Sequence, residues 1–234
     1  MTRVEHLAEG VTLYQGDCRE ILPTLGRFDA VVTDPPYGIF KNTSTDGKMF
    51  GKETIYSEDD LAAGWDTRPS PDVIKAIMSS ADYWTIWGGN YMAADIGDSK
   101  GILVWNKKTG NNSYADGECA FTNTVGTMRI LNHQWCGAFK DSERGQRALH
   151  PTQKPIEVMR WCIGHLPQDA KTILDPFMGS GTTGVAAVKL GRKFTGIEIE
   201  PRYFDIACRR ISEALKQPDM FVEPQKPAKQ EALI

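Results

Sequence analysis

Residues 28–38 read FDAVVTDPPYG: an apolar, β-rich run from Phe28 to Thr33 that stops at two consecutive prolines. Proline has no backbone N–H, so a strand entering this stretch ends there. Similar runs recur as VTLYQ (11–15), YWTIW (83–87), GILVWN (101–106), TILD (172–175) and FTGIE (194–198). Between them lie segments of helical character: REILPTL (19–25), PDVIKAIMSSA (71–81), YMAADIG (91–97), PIEVMRWCIGHL (155–166), TTGVAAVKL (182–190) and a stretch opened by Pro201. Pro71 and Pro155 suit first helical turns, and Ile156, Met159, Ile163 and Leu166 recur at helical spacing. Near-continuous apolar strands alternating with helices predict an α/β fold, a doubly wound and mainly parallel sheet with helices on both faces.

In such sheets ligands bind outside the carboxyl ends of the strands, which is where Asp34, Pro35, Pro36 and Tyr37 fall. Asp34 supplies acceptors, the prolines stiffen the turn and Tyr37 adds a flat face. That combination suits a planar group bearing an amine. A second candidate is GSGTTG (179–184), which follows TILD and precedes a helix, with Glu198 19 residues on. By itself this pattern fits a dinucleotide fold and an NAD-dependent oxidoreductase.

The companion motifs decide otherwise. DPPYG, HPTQKP (150–155) and LDPFMGSGTTG (174–184), in that order, resemble the S-adenosylmethionine-dependent amino-methyltransferases of DNA, specifically the circularly permuted β class. The resemblance spans residues 11–211. It implies a Rossmann-like methyltransferase fold and methyl transfer to the N6 amine of an adenine flipped out of double-stranded DNA, with cytosine-N4 as the alternative. A non-catalytic DNA-binding module is the reading of a different class. By the same resemblance Asp34, Pro35, Pro36 and Tyr37 are catalytic. Asp17, Cys18, Thr152, Lys154, Asp175, Phe177, Gly179, Gly181, Thr182 and Glu198 surround the cofactor, with Glu198 on the ribose hydroxyls, Asp17 toward the adenine and Lys154 toward the methionine carboxylate. Asp17 has a competing role as the N-cap of the helix that follows it. Tyr37 is expected to stack on the extruded base.

Charge is informative only locally. Residues 100–155 carry an excess of +4 within an overall net charge of −3, so the remainder sums to −7. The irregular stretch 107–150 is where the family places target recognition, which assigns DNA contacts to Lys107, Lys108, Arg129, Lys140, Arg144 and Arg147. GTMRILNHQW (126–135) reads as a hairpin strand within it and KDSERGQR (140–147) as a basic loop. One catalytic domain is expected over 1–216, with 107–150 as a small insertion and 217–234 as a mobile tail.

The five cysteines (Cys18, Cys119, Cys136, Cys162, Cys208) form no C-x-x-C pair and none follows a proline. Neither a metal site, a disulfide framework nor the Pro-Cys nucleophile of cytosine-C5 methyltransferases is indicated. No run approaches a membrane span and the N-terminus lacks the apolar core of a signal peptide, so a cytoplasmic location is expected. Relatives of this kind form homodimers or work beside a restriction endonuclease, and both are carried as partner expectations.

Overall fold

The computed structural model describes residues 2–39, 66–110, 115–136, 139–145, 149 and 152–217. Its centre is a nine-stranded sheet. The strands, in chain order, are β1 (Arg3–Ala8), β2 (Val11–Gln15), β3 (Phe28–Thr33), β4 (Ala81–Trp87), β5 (Gly101–Asn106), β6 (Gly117–Thr122), β7 (Met128–Asn132), β10 (Thr172–Asp175) and β11 (Lys193–Glu198). They lie in the order β1-β2-β11-β10-β3-β4-β6-β5-β7. A separate two-stranded ribbon joins β8 (Trp135–Cys136) to β9 (Phe139–Lys140).

From β2 to β4 every pairing is parallel. These strands are buried on both faces, as in Ala30, Val31 and Val32 of β3, and so carry continuous apolar runs. The join between β3 and β10 matters most. It aligns Ala30 with Ile173 and Val31 with Leu174, placing the DPPY turn and the glycine loop side by side at the carboxyl ends of adjacent strands.

The helices are α1 (Cys18–Ile21), α2 (Pro71–Ser79), α3 (Ala93–Ile96), α4 (Ile156–Gly164), α5 (Thr182–Lys189) and α6 (Pro201–Lys216). Helix α4 buries Val158, Met159, Cys162 and Ile163 in the main core, and α5 buries Val185, Ala186 and Ala187 there. Pro201 occupies the first turn of α6, where its missing N–H costs nothing. Gly184 lets α5 approach α6: a Cβ there would lie 2.4 Å from Ile211.

Three expectations change. Residues 107–150 are not simply an insertion, because β6 enters the main sheet between β4 and β5, antiparallel to both. GTMRILNHQW is not one hairpin strand. Its first part is edge strand β7, parallel to β5, and its end begins the β8–β9 ribbon. The helix near YMAADIG is a single turn of 3-10 helix, Gly89–Tyr91, followed by the short α3. The expected mobile tail from 218 onward, and residues 40–65 of the long polar loop, lie outside the described residues. Among the described residues no helix is long and apolar enough to cross a membrane, and no group of His, Cys, Asp and Glu could hold a metal ion.

Candidate active site

Four polar side chains meet beyond the carboxyl ends of β3, β4 and β5. Tyr37 Oη donates to Asp34 Oδ1 at 2.5 Å. Lys154 Nζ lies 2.6 Å from the same Asp34 oxygen, 3.0 Å from Tyr37 Oη and 3.0 Å from Glu118 Oε2. Glu118 Oε1 pairs in turn with Lys107. Two carboxylates and two ammoniums balance, which is the condition under which ions persist in a protein interior. Indole rings wall the cluster: Lys154 Nζ sits 5.1 Å from the Trp87 ring centre and Lys107 Nζ 4.8 Å from that of Trp105.

Exposure separates the members. The Lys154 side chain is 4% exposed, whereas Asp34 keeps 20% and Glu118 24%, so the carboxylates face the opening and the ammonium lies behind them. Burial pushes the Asp34 carboxyl above its ordinary range, opposed by the Lys154 ammonium. Burial also works against ionisation of Glu118, yet Lys154 and Lys107 hold it down to about 2. Desolvation and the neighbouring carboxylates raise Tyr37 far above a normal phenol, so it stays a donor.

The backbone after β3 is pinned from the far side. Asp66 Oδ1 accepts from the amides of Tyr37 and Gly38, both at 3.0 Å. The Tyr37 ring stacks on Tyr91, centroids 5.2 Å apart, and Tyr91 remains 42% exposed. The turn after β4 makes room for this ring, since Gly88 has φ 68° and a Cβ there would come within 2.2 Å of Tyr37 Cε1. Gly88→Ala therefore combines left-handed strain of about 1–2 kcal/mol with displacement of the ring. A drop of at least 2 kcal/mol in chemical denaturation and loss of the Tyr37–Asp34 contact are expected; an unchanged midpoint would contradict this packing.

The second half of the site surrounds the glycine loop. Glu198, at the end of β11, accepts from the amides of Gly179 and Glu200, each at 2.8 Å. Burial pushes its carboxyl up to about 7. Gly179 and Gly181 have φ of 52° and 80°, and a Cβ on Gly181 would lie 2.9 Å from Ala207. The loop is anchored from beneath by Arg210 of α6, which donates to Ser180 O, Ser180 Oγ and Thr182 Oγ1. Gly16 N donates to Glu198 O, drawing residues 16–18 to the same place, and Phe177 packs in the cluster that contains Cys18. Burial raises the Cys18 thiol to about 11.

Several sequence expectations are refined here. Lys154 sits in the Asp34 cluster, on Asp34, Tyr37 and Glu118. Its neighbour Gln153 reaches the glycine loop, accepting from Ser180 Oγ at 3.4 Å. Asp175 is enclosed at 1% exposure; its carboxylate accepts from Thr33 Oγ1 at 2.7 Å and from Phe177 N, so it ties β10 to β3 under the groove. Burial raises it to about 6. Asp17 does cap α1, accepting from Arg19 N at 2.8 Å, and also pairs with the Arg19 side chain. Thr152 is half-buried.

The basic residues divide. Lys107 belongs to the interior cluster and is not a surface cation. Lys108, 49% exposed, pairs loosely with Asp141 at 3.8 Å; Lys140 lies over Trp135, and Arg144 is exposed with its Nε on Lys140 O. Arg129 is exposed on β7. Arg147 lies outside the described residues, as does His150 of the HPTQKP motif.

Glu118, Trp87, Gly88 and Tyr91 are the site residues that sequence reasoning missed. The available signal was the rule already applied to DPPY: Gly88 and Gly89 follow strand β4 at its carboxyl end.

The N6/N4 methyltransferase family model, described as DNA methylase, matches residues 79–209. The chain is 27% identical over 268 residues to the type II methyltransferase M.HinfI of Haemophilus influenzae, covering 89% of the chain and 70% of that protein. It is 43% identical over 111 residues to M2.LlaDCHI of Lactococcus lactis subsp. cremoris, spanning 47% of the chain and 41% of that relative. Among solved structures, the complex of M1.HpyAVI with SAM superposes with a TM-score of 0.55 at 24% identity, covering 85% of this chain and 98% of that one. The PvuII DNA methyltransferase, cytosine-N4-specific, gives 0.53 at 14% identity, covering 88% and 89%. At these identities the structural likeness establishes the shared fold.

Proposed function

Since the chain belongs to the N6/N4 family of DNA methylases, whose methyl donor is S-adenosylmethionine, we propose that it methylates the exocyclic N6 amine of an adenine flipped out of double-stranded DNA. The observation that carries this reading is the half-open Asp34 carboxylate, oriented by Tyr37 at 2.5 Å and set beside the glycine loop. Adenine is preferred to cytosine because the tetrapeptide begins with aspartate; the fold is shared with enzymes of either base.

The groove fits S-adenosylmethionine. Gly179 and Gly181 take the left-handed conformations that turn the loop tightly after β10, Glu198 and Asp17 supply acceptors for hydroxyl and amine groups, and Phe177 supplies a partly buried flat surface. When bound, the cofactor supplies a methyl group on a sulfonium. The protein does the rest through position. Asp34 accepts an N–H of the target amine, which favours a tetrahedral nitrogen with its lone pair turned toward the methyl. Tyr37 fixes the carboxylate, and Tyr37 with Tyr91 forms an aromatic wall for the extruded base. Such alignment contributes up to roughly 7–11 kcal/mol. The amine sheds a proton after transfer, and Asp34, whose proton affinity is raised by burial, is placed to take it. Lys108, Arg129, Lys140 and Arg144 supply the phosphate contacts, which a fall in the salt dependence of binding on their removal would test.

Nucleoside mass spectrometry on unmethylated DNA incubated with protein and S-adenosylmethionine tests the proposal. N6-methyladenosine is the expected product, N4-methylcytosine would change the base, and no methylated base would refute the activity. This reading carries a cytoplasmic location with it. A homodimer through edge strand β7, where Met128 and Ile130 are 53% and 61% exposed, completes the assembly we propose; a monomer in light scattering would remove it. A restriction endonuclease of the same site specificity is the matching partner, and DNA modified by this enzyme should resist it.

Cofactor affinity should depend on pH through Glu198. A neutral carboxyl is a poorer acceptor for ribose hydroxyls, and this group is neutral in much of the free protein below about 7. Calorimetric Kd is expected to tighten about three- to tenfold from pH 6 to pH 8, and Glu198→Gln should flatten the profile. A wild-type Kd independent of pH would contradict the assignment.

A further inference from the structure

Lys154 and Tyr37 both lie on Asp34 Oδ1, so an amine that takes that oxygen must displace the ammonium from it. Lys154 cannot withdraw to water, being 4% exposed and walled by Trp87. A buried ammonium that loses one anion must keep another. Glu118 Oε2 stands 3.0 Å from the same nitrogen, on strand β6, and the other Glu118 oxygen is held by Lys107.

We infer that Glu118 is a positioning residue, the anion onto which Lys154 settles when the target amine takes the Asp34 carboxylate. The inference rests on the methyltransferase reading above. Its parts are complementary. Lys107 keeps Glu118 ionised and fixed, so the second berth for the ammonium exists before the base arrives. Lys154 then moves by a fraction of its reach, from being shared between two carboxylates to favouring one, and no charge is left alone in the interior. Asp34 is thereby freed to accept from the base while the ammonium remains near enough to steady its charge.

Neutralising Glu118 tests this. Asp34 is faced by Lys154, Glu118 and Tyr37, and interacts electrostatically with Asp175 and Cys162. In Glu118→Gln, Lys154 has Asp34 as its sole anion and competes with the target amine. DNA affinity comes largely from phosphate contacts, so the loss should fall on kcat, tenfold or more, with KM for DNA within about twofold and S-adenosylmethionine affinity unchanged. The acid limb of the pH–kcat profile should move to lower pH, because Asp34 has lost an anionic neighbour and kept its cation. Glu118→Asp, which retains the anion, should keep at least about a third of kcat and the original limb; it also decides the matter if Glu118→Gln does not fold. Wild-type kcat and an unmoved limb in Glu118→Gln would overturn the inference, as would equal damage in Glu118→Asp or a joint loss of cofactor binding. Wild-type protein that methylates no DNA would instead refute the activity itself, and this inference with it.

Discussion

Asp34→Ala should lower methyl transfer by at least about a thousandfold, roughly 4 kcal/mol of transition-state stabilisation, while the protein still folds and binds S-adenosylmethionine. The fold should survive because Lys154 retains Glu118 at 3.0 Å, so no buried charge is orphaned. Cofactor binding should survive because the glycine loop and Glu198 are held by their own contacts, from Gly179, Glu200 and Arg210. What disappears is the acceptor that orients the amine and takes its proton. Single-turnover transfer of a labelled methyl group, with calorimetric cofactor binding alongside, measures both halves. Retained transfer in a folded Asp34→Ala protein would end the proposed mechanism, and lost cofactor binding would mean that Asp34 supports the groove as well.

Lys154→Met should be the most destabilising single change at the site. It leaves Asp34 and Glu118 sharing a half-buried pocket with one cation between them, Lys107, which contacts Glu118 alone. Breaking a buried pair by removing one member costs about 3–5 kcal/mol. For a chain of this size that lowers Tm by roughly 6–20 °C, read by scanning calorimetry near pH 7. The double variant Asp34→Asn with Lys154→Met removes one charge of each sign and keeps the Glu118–Lys107 pair. It should recover at least half of the loss, although it will not methylate. A fall in Tm of only a degree or two in Lys154→Met would show that the cluster is better solvated than its burial indicates.

Much of the fold was legible in the chain. Strands β3, β5 and β10 coincide with the runs FDAVVT, GILVWN and TILD, because strands buried on both faces need continuous apolar residues and stop at residues that cannot extend them. Two strands of the main sheet were not legible, for opposite reasons. β1, RVEHLA, is a mostly exposed edge strand and carries too little apolar signal. β6, GECAFT, is central, but its first four residues, Gly, Glu, Cys and Ala, have little β preference of their own. The missed strand carries the missed residue. Glu118 belongs to no motif, and its meaning comes from Lys154 and Lys107, which the tertiary fold alone brings to it. Lys154 shows the same limit: its motif marked it as a site residue, but its partner Tyr37 lies 117 positions away.

The adjacency of β3 and β10 also has a consequence for how activity arises in the cell. Thr33 and Asp175, bonded across that join, are 142 residues apart in the chain. At about 5–20 residues per second of synthesis, the aspartate turn therefore waits roughly 7–30 s for the strand it must lie against. A nascent chain holding the entire amine-binding cluster except its last neighbours has no completed groove for the donor. Methylating capacity thus appears late and all at once, and a truncated product of interrupted translation is silent on the chromosome.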